Sequence, residues 1–448
     1  MMGNQRIAVI GLGVENTPLV RFLKKQGHQV TVFDKQDRKQ LGQRYEEFEG
    51  LGVNMVLGSN YLDNLRVDEY DTIFVTPGMP KDLPKLLEAK EKGVRLRGQT
   101  DLFLEVCQAP IIGVTGSAGK TTTTTLIYEI LKSSGRKVFL GGNIGRVLLE
   151  DVESITKDSI VVLELSSFQL ELARHSPDIA VVLNIQENHL DIHGTMEKYV
   201  LAKKQIMEYQ DEGDWLILND KDPVISTWDR EAKGKVAYFG RELGAHIEDD
   251  YLLWNGERIV AISDIRLPGK HNLMNALAAI AVSKILGVAK DVIADVLRTF
   301  EGIEHRLEPV RAYRGVRFIN DSIATSPDRT RAALASFEEP IFLIAGGYDK
   351  GLSYEELAKD IVRRVKVIFL MGETAKKIGQ AVEKEKKLQG SDILIRYVES
   401  MAEAVSCAYA LAAEGDLVLL SPGAASYDMF SNYVERGRVF KKLVADLL

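Results

Sequence analysis

The sequence predicts an α/β protein built of three domains, and three observations carry that expectation. Apolar runs of strand length alternate with amphipathic helical segments from one end of the chain to the other, the pattern of parallel sheets covered by crossover helices. Two of the apolar runs, Ile7–Ile10 and Ile111–Val114, open directly into glycine-rich turns. The 448 residues, 45% hydrophobic and 27% charged, have ordinary globular composition. At about 150 residues per domain they allow two or three domains, each able to bury its own core.

In the first domain, expected over 1–98, Ile7–Ile10 is a strand, Pro18–Lys25 a helix, Val30–Phe33 a strand and Thr72–Val75 a strand ending in Thr76-Pro77-Gly78. The second, over 99–302, opens with strand Ile111–Val114 and continues through Ile160–Leu165, Ile179–Asn184 and Trp215–Leu218 to a helix around Asn272–Leu286. A small β-rich insert is expected within it, because Val236–Phe239, Tyr251–Trp254 and Arg258–Ile262 are short and separated by turns such as Asn255-Gly256. The third, over 303–448, has strands Val316–Ile319, Ile341–Ala345, Val367–Met371 and Leu417–Leu420 with helices between. Neither a short-period repeat nor a low-complexity tract interrupts the pattern.

A net charge of −7 without a Lys/Arg block argues against a general nucleic-acid or membrane surface. Cys107 and Cys407 are too few and too far apart for a disulfide or zinc framework, and read as small buried apolar residues in a reducing cytosol. The opening apolar stretch stops at Gly11, too soon for a signal peptide, and no run reaches membrane-spanning length. A soluble, unprocessed, cytoplasmic protein is expected.

The strongest motif is Gly113-Val114-Thr115-Gly116-Ser117-Ala118-Gly119-Lys120-Thr121, set between an apolar strand and a helical segment. Glycines in that context let backbone N–H groups converge on phosphate oxygens at a helix N-terminus. Lys120 can reach β- and γ-phosphates, and the Thr121 hydroxyl can ligate Mg²⁺. The spacing misses the standard phosphate loop by one residue, since Val114 stands where its first glycine belongs; the alternative is a chance Gly-Lys-Thr turn. A second turn, Gly11-Leu12-Gly13-Val14-Glu15-Asn16, is followed by Asp34 at about the distance of a ribose-binding acid, but Asn16 replaces the third glycine. Hydride-transfer chemistry and simple phosphate or nucleotide binding both fit it.

Glu164 closes an apolar strand beside the phosphate loop, where a carboxylate binds Mg²⁺ or pairs with a nearby base. His189, just past the strand Ile179–Asn184, reads on its own as structural more readily than as a ligand. By helical periodicity Lys203 is an ordinary surface lysine.

Taken in order, these motifs resemble the Mur ligase family of peptidoglycan synthesis, over essentially the whole chain. That family's phosphate loop, G-x-[ST]-G-T-x-G-K-[ST], accounts for the displaced glycine, with Ser117 and Ala118 as mild departures. The similarity extends to Glu164-Leu165-Ser166-Ser167-Phe168-Gln169, to Asn184 with Asn188-His189-Leu190-Asp191, to Gly269-Lys270-His271-Asn272-Leu273-Met274-Asn275 and to His305-Arg306. Asn320-Asp321-Ser322-Ile323-Ala324-Thr325 and Ser421-Pro422-Gly423-Ala424-Ala425-Ser426-Tyr427-Asp428-Met429-Phe430 are similar to the members that add D-glutamate.

The resemblance implies a Rossmann-like first domain, a central ATPase-type domain with a phosphate loop, and a Rossmann-like third domain. It implies a monomeric ligase using ATP and two Mg²⁺ ions to join D-glutamate to UDP-N-acetylmuramoyl-L-alanine through an acyl phosphate, in cytoplasmic cell-wall precursor synthesis that serves cell shape and division. Gly116, Ser117, Ala118, Gly119, Lys120, Thr121 and Thr122 would hold ATP phosphates, and Asn272, Asn275, Arg306 and Asp321 the rest of the nucleotide, Arg306 facing phosphates and Asp321 the ribose. Thr121 and Glu164 would bind one Mg²⁺; Glu164, His189 and a carbamylated Lys203 would bind the other. Val14, Glu15, Asn16, Asp34, Lys35, Gly78 and Asn143 surround the UDP portion. Thr325, Lys350, Ser426 and backbone near Tyr433 hold D-glutamate. From the residues alone, Lys350 is a turn lysine and Thr325 and Ser426 are caps. The rivals are a family member with another amino acid or a folate acceptor, a nucleotide-switched binding protein, and, remotely, a dehydrogenase.

Overall fold

The computed structural model describes residues 5–13, 15–144, 147–187, 190–267, 269–349 and 351–447. The chain divides into two compact units, Met1–Phe300 and Glu301–Leu448.

The first unit holds two sheets. One has five parallel strands in the spatial order Asn54–Leu57, Gln29–Asp34, Arg6–Ile10, Thr72–Val75, Arg95–Arg97. Order reverses at Arg6–Ile10, so the glycine turn after that strand lies at the switch point where open sheets bind ligands. The other has nine strands, ordered Glu257–Ala261, Tyr251–Trp254, Ala245–Glu248, Lys235–Phe239, Trp215–Asn219, Ile179–Val182, Ile111–Thr115, Ser159–Glu164, Lys137–Gly142. Ile111–Thr115 is buried throughout and pairs in parallel with both Ser159–Glu164 and Ile179–Val182. A strand covered on both faces has no polar side to show, which is why it reads as a continuous apolar run.

The segments expected as a β-rich insert are hydrogen-bonded onto the edge of this same sheet. Lys235–Phe239 continues the parallel array, and the next three strands form an antiparallel meander. In the helix Lys120–Ser133 five threonines follow Lys120, poor helix formers by intrinsic preference. Tertiary packing overrides that preference: Thr121, Thr123 and Thr124 are buried, and Thr124 Oγ1 donates 2.7 Å back to the Lys120 carbonyl.

The second unit is a six-stranded sheet, ordered Glu308–Tyr313, Val316–Asn320, Leu417–Leu420, Ile341–Gly346, Val365–Met371, Leu394–Tyr397, parallel except for the first strand. Apolar clusters fill both of its faces. Both cysteines are free thiols and half-buried rather than fully buried. No helix among the described residues is long and apolar enough to cross a membrane.

Candidate active site

In the first unit the phosphate loop runs from the end of strand Ile111–Thr115 into the helix Lys120–Ser133. Gly116 and Gly119 take φ of 155° and 82°, conformations that side chains disfavour, and a Cβ on Gly119 would stand 2.3 Å from Asn275 Oδ1. Asn275 in turn donates 3.0 Å to Asn272 Oδ1, so the first turn of helix Lys270–Ile285 seats against the loop. Asn184, past the end of the neighbouring strand, locks the loop from the other side: its Oδ1 accepts from Ala118 N at 2.9 Å and its Nδ2 donates to Ala118 O at 3.0 Å. Ser117 Oγ lies 2.9 Å from Tyr199 Oη and accepts from Gln186 N at 2.9 Å.

Two amines converge on one carbonyl. Lys120 Nζ donates to Gly116 O at 2.8 Å and Ser117 O at 3.2 Å, and Lys203 Nζ donates to the same Gly116 O at 2.9 Å. Lys203 is only 1% exposed, which corrects the surface position that periodicity assigns it. On the helix Met196–Glu208 it belongs to the buried stripe Tyr199, Ala202, Lys203, Ile206, Met207, spaced three and four residues apart. Burial holds its amine well below the usual lysine range, repulsion from Lys120 pushes the same way, and Glu164 opposes them.

Glu164, 2% exposed, ends the strand Ser159–Glu164. Asn143 grips it twice, Nδ2 donating to Oε1 at 2.8 Å and the backbone N to Glu164 O at 2.8 Å. Asn143, expected beside the UDP portion, is therefore placed on the carboxylate. The other oxygen, Oε2, is buried and has no hydrogen-bond partner among the described residues. An orphaned carboxylate oxygen beside a phosphate loop fits a hard cation. Among the described residues no three His, Cys, Asp or Glu side chains gather as a ready-made metal cluster. A cation at Glu164 would therefore draw on other oxygens, such as the hydroxyl of the buried Thr121. Thr122 follows Thr121 in the same first turn.

Around the glycine turn of the five-stranded sheet, Asp34 accepts from Leu12 N at 2.5 Å and from Gln36 N at 2.8 Å. Asn16, fully buried, donates to Ile10 O at 3.1 Å and Gly11 O at 2.8 Å, closing the turn where a dinucleotide fold would place its third glycine. Glu15 faces Gln169, which donates to it at 2.8 Å. Lys35 and Gly78 are exposed. Sequence reasoning missed Arg44, whose guanidinium donates to Leu12 O at 2.8 Å, and no local pattern marks it.

In the second unit Asp321 follows strand Val316–Asn320 and accepts from Ser421 Oγ at 2.8 Å and Leu307 N at 3.2 Å. Burial raises its carboxyl to about 7 against those hydrogen bonds and the opposing charge of Arg306. The role of Arg436 also escaped the sequence reading. It is 1% exposed and donates to Ser322 Oγ at 3.0 Å, Ser322 O at 2.9 Å, Ala424 O at 3.1 Å and Ala425 O at 3.2 Å. Ser322 Oγ donates to Tyr433 O at 2.8 Å, so one guanidinium gathers the segments carrying Thr325, Ser426 and Tyr433. Gly347 permits the adjacent turn to close in, since a Cβ there would lie 2.0 Å from Ala425 O, and Tyr348 N donates to Ala425 O at 2.9 Å. Val14, His189 and Lys350 lie outside the described residues.

Comparison with known proteins bears on this arrangement directly. The Mur ligase MurD-like N-terminal domain matches residues 5–98, the Mur ligase middle domain 114–283, and the Mur ligase glutamate ligase domain 305–423. The chain belongs to the Mur ligase family. Among its relatives, the UDP-N-acetylmuramoylalanine--D-glutamate ligase of Symbiobacterium thermophilum is 47% identical over 99% of this chain and 98% of its own. The enzyme of the same name from Acetivibrio thermocellus is 48% identical over 98% and 96%. In fold, this Mur ligase is similar to the UDP-N-acetylmuramate-alanine ligase MurC of Thermotoga maritima, with TM-score 0.54 and 20% identity over 99% of each chain.

Proposed function

We propose that this Mur ligase works in the cytoplasm as a monomer, joining the alanyl carboxyl of UDP-N-acetylmuramoyl-L-alanine to the amine of D-glutamate at the expense of ATP. The observation that carries the reading is the convergence of Lys120 and Lys203 on the Gly116 carbonyl, beside a Glu164 whose second oxygen is orphaned. The names of the full-length relatives supply the substrates.

A carboxylate is a poor electrophile, because its charge repels an amine and oxide is a very poor leaving group. One of its oxygens attacks the γ-phosphorus, the bond to ADP breaks, and an acyl phosphate results. The D-glutamate amine then adds to the carbonyl, and the tetrahedral intermediate expels phosphate and loses a proton to give the amide. Positioning and charge neutralisation supply most of such catalysis. The loop N–H groups and Lys120 hold the β- and γ-phosphates. Mg²⁺ would supply neutralisation of phosphate charge, with Thr121 and Glu164 as ligands of one ion and Glu164, His189 and Lys203 of a second.

For Lys203 to serve, its amine must become an anion. The neutral amine attacks CO₂, an N–C bond forms, and a proton leaves to solvent. Burial and the neighbouring Lys120 both favour the neutral amine that this step needs. Asn272 and Asn275 in the first unit and Arg306 and Asp321 in the second are further residues for the nucleotide, and Thr325, Lys350, Ser426 and Tyr433 hold the carboxylates of D-glutamate. Val14, Glu15, Asn16, Asp34, Lys35 and Gly78 form the cradle of the UDP portion.

The test is phosphate release with UDP-N-acetylmuramoyl-L-alanine, ATP and single amino acids. Release should require both acceptor and amino acid and be far faster with D-glutamate than with L-glutamate, lysine or diaminopimelate. Preference for another amino acid would overturn the specificity. Release independent of the acceptor would point to a nucleotide switch instead.

A further inference from the structure

Lys81, outside every role assigned so far, is 7% exposed and spends its ammonium on backbone. It donates to Pro77 O at 2.7 Å, to Thr76 O at 3.4 Å and to Met79 O, gathering three carbonyls of the turn that follows strand Thr72–Val75. That turn lies directly on the glycine turn. A Cβ on Gly11 would stand 3.0 Å from Thr76 Cγ2, and one on Gly13 would stand 3.5 Å from Thr76 Oγ1. The two turns thus make one cradle, and Lys81 is the clamp on its outer half.

The inner half has a second connection. Glu15, closing the glycine turn, accepts from Gln169 Nε2 at 2.8 Å across 154 residues of sequence. Gln169 is itself fixed, because its Oε1 accepts from Ser166 N at 2.9 Å in a reciprocal cap. The capped segment begins at Ser166, two residues after Glu164. A chain of hydrogen bonds therefore leads from the nucleotide cradle to the segment that follows the candidate metal carboxylate.

We propose that Lys81 and Glu15 are positioning residues for the UDP-linked substrate, Lys81 shaping the cradle for its nucleotide end and the Glu15–Gln169 bond registering that cradle on Glu164. Because one substrate is held by its UDP at one end and reacts at its carboxyl at the other, the separation between cradle and Glu164 decides whether the carboxyl meets the phosphate. The electrostatics agree with a closed network. Burial lowers the Lys81 ammonium to about 8, with Glu171 and Glu15 raising it and Lys90 lowering it. Burial raises the Glu15 carboxyl to about 7, with Gln169 and Lys81 pulling it down. Lys81 thus faces two acids drawn from two different domains of the first unit.

The inference rests on the reading of the first domain as the UDP-substrate site, so the test begins with calorimetry of UDP alone on the wild-type enzyme. No binding there would sink that reading rather than this one. With wild-type binding in hand, Lys81→Met should weaken UDP about tenfold and raise the KM for UDP-N-acetylmuramoyl-L-alanine in parallel, leaving the KM for ATP and D-glutamate within about twofold. Lys81→Arg should recover part of the loss. Glu15→Ala, which removes one residue of the cradle but leaves the Gln169 cap intact, should weaken UDP less than Lys81→Met does while lowering kcat about fivefold. Wild-type UDP affinity in Lys81→Met, or wild-type kcat in Glu15→Ala, would overturn the proposal. If Lys81→Met does not fold, Glu15→Ala decides alone.

Discussion

An amine buried beside a second amine is driven toward its neutral form by two effects of the same sign, desolvation and repulsion, and Lys203 is subject to both. We therefore expect Lys203→Ala to be nearly inactive and to be partly rescued by small added carboxylic acids that restore oxygen ligands. Lys204→Ala, whose lysine pairs with Glu231 instead of the phosphate loop, should stay active. Steady-state rates with and without acetate or formate decide this, and a fully active Lys203→Ala would remove the carbamate. Lys120→Ala should abolish acyl-phosphate formation with the fold intact, read by phosphate release and circular dichroism. Asp321 gives a prediction in pH. Its folded pKa of about 7 exceeds the ordinary aspartate value, so the folded state holds a proton that the unfolded state has lost. The contribution is full below about pH 4 and is lost as pH rises to about 7. Denaturant unfolding at pH 5 and 7.5 should show wild type losing on the order of 2 kcal/mol more than Asp321→Asn over that interval. Residues of this kind were legible only in part. The phosphate loop announces itself because its chemistry needs glycines and a lysine at fixed spacing. Lys203, Asn143 and Arg436 act through burial and partners distant in sequence, which periodicity does not carry.

At the scale of elements, the central strands were legible because burial on both faces leaves them wholly apolar. Asn54–Leu57, Lys137–Gly142, Glu308–Tyr313 and Leu394–Tyr397 were not, because each lies at a sheet edge and keeps partly exposed side chains. One of these strands borders the candidate site. Gly142 ends the edge strand beside Glu164 with φ of 92°, and a Cβ there would sit 2.2 Å from Glu164 O. Gly142→Ala should therefore shift the strand that presents the carboxylate and cut kcat at least about tenfold, with a smaller change in the KM for D-glutamate. In the second unit the helix Tyr433–Ala445 supplies a joint of its own in Arg436. Arg436→Ala would take the guanidinium from the buried carbonyls of Ser322 and Ala424 and leave Ala425 O only the Tyr348 N–H. The expected cost is about 3 kcal/mol in unfolding free energy, together with a raised KM for D-glutamate, measured by denaturant titration and kinetics.

For the whole molecule, alternating strands and helices announced the α/β class and three domains, and the matched domains run in the expected order along the chain. The division of the chemistry follows the chain. The first unit carries the phosphate loop, the candidate metal carboxylate and the nucleotide cradle; the second carries the segments joined by Arg436. The central claim is that ATP is spent on the substrate's own carboxyl and not on water. It is tested most directly by labelling both oxygens of the alanyl carboxylate of UDP-N-acetylmuramoyl-L-alanine with ¹⁸O, running the reaction with D-glutamate, and measuring label in the released phosphate by mass spectrometry. An acyl phosphate requires that each phosphate leave with one labelled oxygen while the other remains in the amide carbonyl. Unlabelled phosphate, with both labelled oxygens still on unligated UDP-N-acetylmuramoyl-L-alanine or one of them lost to water, would contradict the account.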